Sequence, residues 1–158
     1  KVVRELHGHA HRVHCVAFSP AGNMLASGSA DDTAILWDAN SGALLAQLKG
    51  NHSNSVLDVS FSPDGKLVAT ASADKTVCVW VTADEVARGI KAGRDEWKPP
   101  RTLKSHDDWV LSVSFSPSGA TLASGSRDRS VIIWSSSSCT ALRAIRRAHD
   151  GYVCRVHF

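Results

Sequence analysis

Four histidines set the frame of this chain. His9, His52, His106 and His149 are each followed four residues later by a valine (Val13, Val56, Val110, Val153) and nine residues later by a phenylalanine (Phe18, Phe61, Phe115, Phe158). Two offsets held constant at four places mark an internal repeat, built by stacking copies of one supersecondary unit. Three further offsets recur in the three complete units. A hydroxyl stands 18 residues after the histidine (Ser27, Thr70, Ser124), an aspartate 22 after (Asp31, Asp74, Asp128) and a tryptophan 28 after (Trp37, Trp80, Trp134). Successive histidines lie 43, 54 and 43 residues apart, so the middle unit carries eleven extra residues, all after Trp80.

Each unit reads as β-structure. Val13–Phe18 is short and apolar, as a strand inside a stack of sheets would be. Ser-Pro-Ala-Gly, Ser-Pro-Asp-Gly and Ser-Pro-Ser-Gly follow at 19–22, 62–65 and 116–119. In these turns proline presets φ at the first position and glycine accepts a positive φ later. A second strand is predicted at Met24–Ser29, a polar corner at 30–33, a third strand at Ala34–Trp37, a turn at 40–42 and a fourth strand at Ala43–Leu48. The β-branched and aromatic content of Val77–Val81 and Val131–Trp134 fits strands. The extra segment of the middle unit differs. Thr82–Ala92 opens on the capping-box pattern T-x-x-E and stops before Gly93, which predicts a short helix, with the insert spanning 82–98 and serving as a surface decoration. The fourth strand of that unit is expected late, near Arg101–Leu103.

Gly8-His9 and Trp37-Asp38, with SPDG at 62–65 and LASGS at 25–29 and 122–126, resemble the WD-repeat β-propellers. The departures are local: the glycine before the histidine becomes Asn51, Ser105 and Ala148, and the aspartate after the tryptophan becomes Val81 and Ser135. The resemblance implies an all-β chain, a partial WD-repeat β-propeller of three complete four-stranded blades with one flanking strand at each end. Residues 1–6 would be the outer strand of a preceding blade, 7–49 blade one, 50–104 blade two, 105–148 blade three and 149–158 the first strand of a further blade. A closed propeller needs at least about four blades. The remaining blades are therefore expected from further chain or from a second chain.

The resemblance also implies that each histidine serves a structural chain of hydrogen bonds, from tryptophan to hydroxyl to histidine to aspartate. By position these are Trp37–Ser27–His9–Asp31, Trp80–Thr70–His52–Asp74 and Trp134–Ser124–His106–Asp128. One indole donor, one hydroxyl, two ring nitrogens and one carboxylate can pair every polar group in such a chain. A catalytic Ser-His-Asp triad is the competing reading. It fails because the set recurs three times, because each set ends on a tryptophan that engages the hydroxyl, and because no glycine-rich elbow presents a nucleophile. The N-terminal His7, His9, His11 and His14 lack a second cluster to complete a metal site. The chain is therefore read as a non-enzyme with no metal or cofactor.

In propellers of this family the corner after the fourth strand and the corner between the second and third strands share one face, where partners dock. Rigid scaffolds that present loops put binding there. At those corners Arg12, Asp108, Trp109, Arg127 and Tyr152 stand out as a partner-binding patch, since interface hot spots favour aromatics and arginine. The expected function is a non-catalytic protein–protein interaction scaffold inside a multiprotein complex. The alternative is an RNA- or acidic-partner-binding propeller using the arginine-rich third unit, because residues 120–158 hold six arginines against two aspartates. The whole chain, at +3 from 18 basic and 15 acidic residues, does not point to nucleic acid. Trp37-Asp38-Ala39 is followed by Asn40, so the W-D-x-R ending of cullin-type ubiquitin-ligase receptors is missing there. Ser135–Ser138 is read as a turn. No apolar run approaches the roughly 20 residues of a membrane span. With Cys15, Cys78, Cys139 and Cys154 far apart and read as reduced, mostly buried thiols, and with no leader visible, an intracellular location is expected, in the cytoplasm or else the nucleus.

Overall fold

The computed structural model describes residues 2–82 and 100–158. Twelve strands form three four-stranded antiparallel sheets, each an up-and-down meander. Sheet one holds β1 (Val13–Phe18), β2 (Met24–Ser29), β3 (Ala34–Asp38) and β4 (Leu44–Leu48). Sheet two holds β5 (Val56–Phe61), β6 (Leu67–Ser72), β7 (Thr76–Val81) and β8 (Arg101–Lys104). Sheet three holds β9 (Val110–Phe115), β10 (Thr121–Ser126), β11 (Val131–Ser135) and β12 (Ala141–Ile145). No helix occurs among the described residues, and apart from Thr82 and Pro100 the insert and its lead-out lie outside them. Residues 2–8 and 152–158 pack against sheets one and three without a ladder of their own, for example through Arg4 Nη1 donating to the Ser41 carbonyl at 2.7 Å.

Glycine closes the first hairpin of every sheet. Gly22, Gly65 and Gly119 sit at φ of 70°, 70° and 73°, and each donates its N–H to the carbonyl of the turn serine three residues earlier at 2.9 Å. A side chain at that φ would strain the turn. Ser136–Ser138 forms the turn between β11 and β12.

The inner strands explain the odd spacing of their apolar residues. Val56, Val59 and Phe61 are separated by three and then two positions, so a regular strand would place Val56 and Val59 on opposite faces. A bulge between Val56 and Asp58 restores them to one face, and matching irregularities occur between Val13 and Cys15 and opposite Gly125 and Ser126. All three side chains are then buried in sheet two, at 0%, 5% and 8% exposure. Val110, Val113 and Phe115 repeat this in sheet three.

The core lies between sheets. One apolar layer joins sheets one and two through Met24, Leu36, Leu48, Val56, Val68 and Trp80. A second joins sheets two and three through Ala69, Val77, Leu103, Val110, Leu122 and Trp134. The inner strand of each later sheet is thus covered by the sheet before it. In sheet one the same three positions are open: Val13, Val16 and Phe18 are 49%, 63% and 66% exposed.

Polar bonds accompany this stacking. Asp58 Oδ2 accepts the Val113 N–H at 3.0 Å, and Ser112 Oγ accepts the Val156 N–H at 3.1 Å, one sheet further on. Cys15 holds the corresponding place in sheet one, where a thiol is a poor acceptor; there the Val59 N–H turns to Asp58 Oδ1 at 3.0 Å. Burial first, and then the Asp58 charge, push the Cys15 thiol up to about 12. All four cysteines are free thiols, but Cys78 alone is buried and Cys154 is exposed, which corrects the expectation of mostly buried thiols.

Close stacking also fixes Gly125. A Cβ there would meet Val153 Cγ1 at 2.7 Å and the Val153 carbonyl at 3.1 Å. Gly125→Val is expected to destabilise the chain by about 1–3 kcal/mol through overpacking, read as a lower urea midpoint with an unchanged slope. An unchanged midpoint would show that residues 153–156 yield at no cost.

Candidate functional site

The hairpin meander brings the second strand, the third strand and the incoming loop of each unit together at one rim. In sheet one Trp37 Nε1 donates to Ser27 Oγ at 2.8 Å, Ser27 Oγ lies 2.8 Å from His9 Nε2, and His9 Nδ1 lies 2.8 Å from Asp31 Oδ2. Sheet two repeats this with Trp80, Thr70, His52 and Asp74 at 2.9, 2.7 and 2.8 Å. Sheet three repeats it with Trp134, Ser124, His106 and Asp128 at 2.8, 2.7 and 2.9 Å. Since the indole can only donate, a neutral imidazole receives the hydroxyl proton at Nε2 and keeps its own proton on Nδ1, facing the carboxylate.

The aspartates are the hubs. Asp74 accepts the Ser53 N–H on Oδ2, and the Thr76 N–H and hydroxyl on Oδ1. Thr33 and Ser130 serve Asp31 and Asp128 in the same way. Burial pushes all three carboxyls up, but these hydrogen bonds and the histidine outweigh it. Asp31 and Asp74 are held well below the usual carboxylate range and Asp128 at about 2. The histidines differ. Burial lowers His106, Arg146 adds to that, and the net shift is downward. Burial also lowers His52, but Asp74 and the Cys78 sulfur push it up to about 9. Thr70 offers a reason: its hydroxyl has a second acceptor in the Cys78 carbonyl at 3.4 Å, which leaves its oxygen able to receive a proton from a charged His52.

These chains cannot perform triad chemistry. Ser27, Thr70 and Ser124 are 4%, 0% and 0% exposed, and each hydroxyl is already engaged by an indole and an imidazole. Among the described residues no cluster of His, Cys, Asp and Glu could hold a metal ion, and no helix is long and apolar enough to cross a membrane.

Two further positions escaped the sequence reading although their offsets are just as constant. Thr33, Thr76 and Ser130 follow each aspartate by two residues. Ser29, Ser72 and Ser126 precede it by two; their hydroxyls donate to the carbonyls of His11, Asn54 and Asp108 and accept the N–H of Asp31, Asp74 and Asp128. Each such serine ties the incoming loop to the corner between the second and third strands.

Backbone bonds complete that tie. Ala30 N–H donates to the Arg12 carbonyl, Ala73 N–H to Ser55 and Arg127 N–H to Trp109, at 2.9–3.0 Å. Side chains at these paired positions therefore emerge next to one another. In sheet three they form a cluster. The Arg127 guanidinium lies 4.5 Å from the Trp109 ring centroid and 4.9 Å from that of Tyr152. Asp108 Oδ2 is 3.8 Å from Arg127 Nε, a nitrogen with no hydrogen-bond partner. Trp109 and Tyr152 remain 39% and 55% exposed. Arg12 is exposed at the matching place in sheet one and makes no ion pair or ring contact among the described residues, so the structure brings together four of the five patch residues.

The comparisons with known proteins agree with this geometry. Residues 1–38, 42–81 and 97–135 match the family described as WD domain, G-beta repeat. The chain belongs to the WD-repeat family. The WD-repeat chain is 36% identical over 129 residues to the nuclear distribution protein nudF of Aspergillus flavus, covering 82% of itself and 26% of that relative. It is 37% identical over 153 residues to the nuclear distribution protein PAC1 of Fusarium vanettenii, covering 92% of itself and 32% of the relative. The solved structure of U3-55K superimposes on 98% of the chain with a TM-score of 0.84 at 25% identity, over 45% of its own length. The chain thus spans about a quarter to a third of these curated relatives, and its three sheets are successive blades of an all-β WD-repeat propeller.

Proposed function

We propose that the WD-repeat chain is a non-catalytic docking segment of a propeller subunit in a multiprotein complex, located in the cytoplasm or the nucleus. The family's general role as a protein-interaction scaffold supports this reading. The observation that carries it is the Arg127 guanidinium stacked between the half-exposed rings of Trp109 and Tyr152 at one rim of blade three. Stacking fixes the guanidinium plane before any partner arrives, so less side-chain entropy is lost on docking. We assign residues 7–49, 50–104 and 105–148 to the three blades, 1–6 to a preceding blade and 149–158 to a following one. The exposed Val13, Val16 and Phe18 support a preceding blade, since their counterparts in blades two and three are buried by one.

A Trp109→Ala/Arg127→Ala double variant is expected to lose at least tenfold in partner recovery when the full-length protein that carries this chain is used as bait, with its urea midpoint nearly unchanged. Undiminished recovery would remove this cluster from the docking surface. The alternative, an RNA- or acidic-partner binder, rests on the arginines of blade three. Arg143 and Arg147 are exposed there, while Arg146 is paired with Asp107 at 3.2 Å. Phosphate contacts of this kind would make binding fall steeply with salt, and a flat salt response would dismiss them.

A further inference from the structure

Three backbone positions at the docking rim repeat from blade to blade while their charges change. The residue after each network aspartate is left-handed in all three blades: Asp32 at φ 66°, Lys75 at 75° and Arg129 at 69°. Lys104, paired with Thr76, ends the fourth strand of blade two. Lys49 and Arg146 stand one residue beyond the matching pairs Ala34↔Leu48 and Val131↔Ile145. The residue after each network histidine is Ala10, Ser53 or Asp107. Blade one thus sets one acid against one base, and in blade three Asp107 neutralises Arg146. Blade two has two lysines and a serine, and neither Lys75 nor Lys104 makes an ion pair among the described residues.

Both lysines line one groove of about 370 Å³, together with Asn51, Ser53, Asp74 and Thr102. Asp74 does not neutralise them. Its two oxygens are already occupied by His52, the Ser53 N–H and Thr76, and its side chain is only 5% exposed. The Ser53 hydroxyl and the Asn51 amide add neutral donors to the same wall.

We infer that this groove binds the phosphoryl group of a phosphorylated serine or threonine side chain on a partner protein. Two ammonium groups match a group carrying nearly two charges, whereas a carboxylate would leave one cation unpaired. Lysine is a point charge without the planar fork that selects carboxylates in pairs of hydrogen bonds, which fits a tetrahedral acceptor. The positive surface does not continue as the track a nucleic-acid backbone needs, because Asp107 and Asp108 follow directly on His106 at the groove wall. The inference goes beyond the scaffold reading, and no residue that lines the groove belongs to the Trp109 cluster, so the two stand or fall separately.

The test presents the full chain to a degenerate peptide library with one fixed phosphoserine, to the same library with serine or glutamate in its place, and to oligouridylate. Retention of the phosphoserine library is expected to exceed both others at least tenfold. It should be lost in Lys75→Gln/Lys104→Gln and in Ser53→Asp, which supplies the counter-charge that Asp107 gives Arg146, and be kept in Trp109→Ala/Arg127→Ala. Ser53, Lys75 and Lys104 are exposed positions, and an unchanged urea midpoint checks that the variants fold. Equal retention of the three libraries, retention of none, or oligouridylate binding lost in the same variants would each overturn the assignment.

Discussion

An Asp74→Ala chain is expected to lose about 3–5 kcal/mol of stability, the range for removing one partner from a buried charged pair. The loss is large because the carboxylate satisfies four donors at once: His52 Nδ1–H at 2.8 Å, Ser53 N–H at 3.1 Å, and the Thr76 N–H and hydroxyl at 2.9 and 2.7 Å. The side chains of His52 and Asp74 are 2% and 5% exposed, so water cannot replace what is removed. Asp74→Asn separates charge from shape. Its amide nitrogen would face either donors on the histidine side or donors on the threonine side, so it too should destabilise, by about half as much. Urea denaturation of both variants against the unaltered chain measures these values. A loss under 1 kcal/mol for Asp74→Ala would mean that the blade is held by its apolar layer alone.

Acid should unfold the chain through all three networks together. Asp31, Asp74 and Asp128 have folded pKa values below their unfolded ones, so each contributes stability that is complete above the unfolded value of about 3.9 and is lost as pH falls through the folded value. Asp128, held at about 2, keeps this contribution until the pH approaches that value. His52 works in the opposite direction. Its folded pKa is raised to about 9, so its contribution is complete below the unfolded value of about 6.5 and is lost as pH rises through 9. His106 is lowered, so its share is complete above about 6.5 and declines as pH falls. Stability measured by urea across the pH range should therefore be greatest near neutrality and fall on both sides, most steeply below pH 4. Constant stability down to pH 2.5 would contradict the aspartate hydrogen bonds.

Much of this architecture was legible because each blade restates it. The turns needed a glycine at positive φ, and Ser-Pro-x-Gly announced them at 19–22, 62–65 and 116–119. In each network the hydroxyl, histidine, aspartate and tryptophan picked out by spacing form a chain whose successive partners lie 2.7–2.9 Å apart. Thr76 and Ser72 passed unnoticed although they flank Asp74 at constant offsets, because a serine or threonine in a corner is also what an ordinary turn contains. The bulge in each inner strand was hidden for another reason. Alternation predicts which side chains share a face only where no extra residue interrupts the ladder, and the interruption leaves no composition of its own.

The sequence by itself determined the repeat, the four-strand unit and the constant spacing of histidine, hydroxyl, aspartate and tryptophan, because those depend on local backbone preference and on positions a fixed distance apart along the chain. Only the tertiary structure decided which corners differ in chemistry. Arg127 meets Trp109 and Tyr152, and Lys75 and Lys104 line one groove, although the segments that carry them lie about 20 to 30 residues apart. Such neighbours are set by how the strands of a blade and the loops of adjoining blades come together, which linear spacing cannot express.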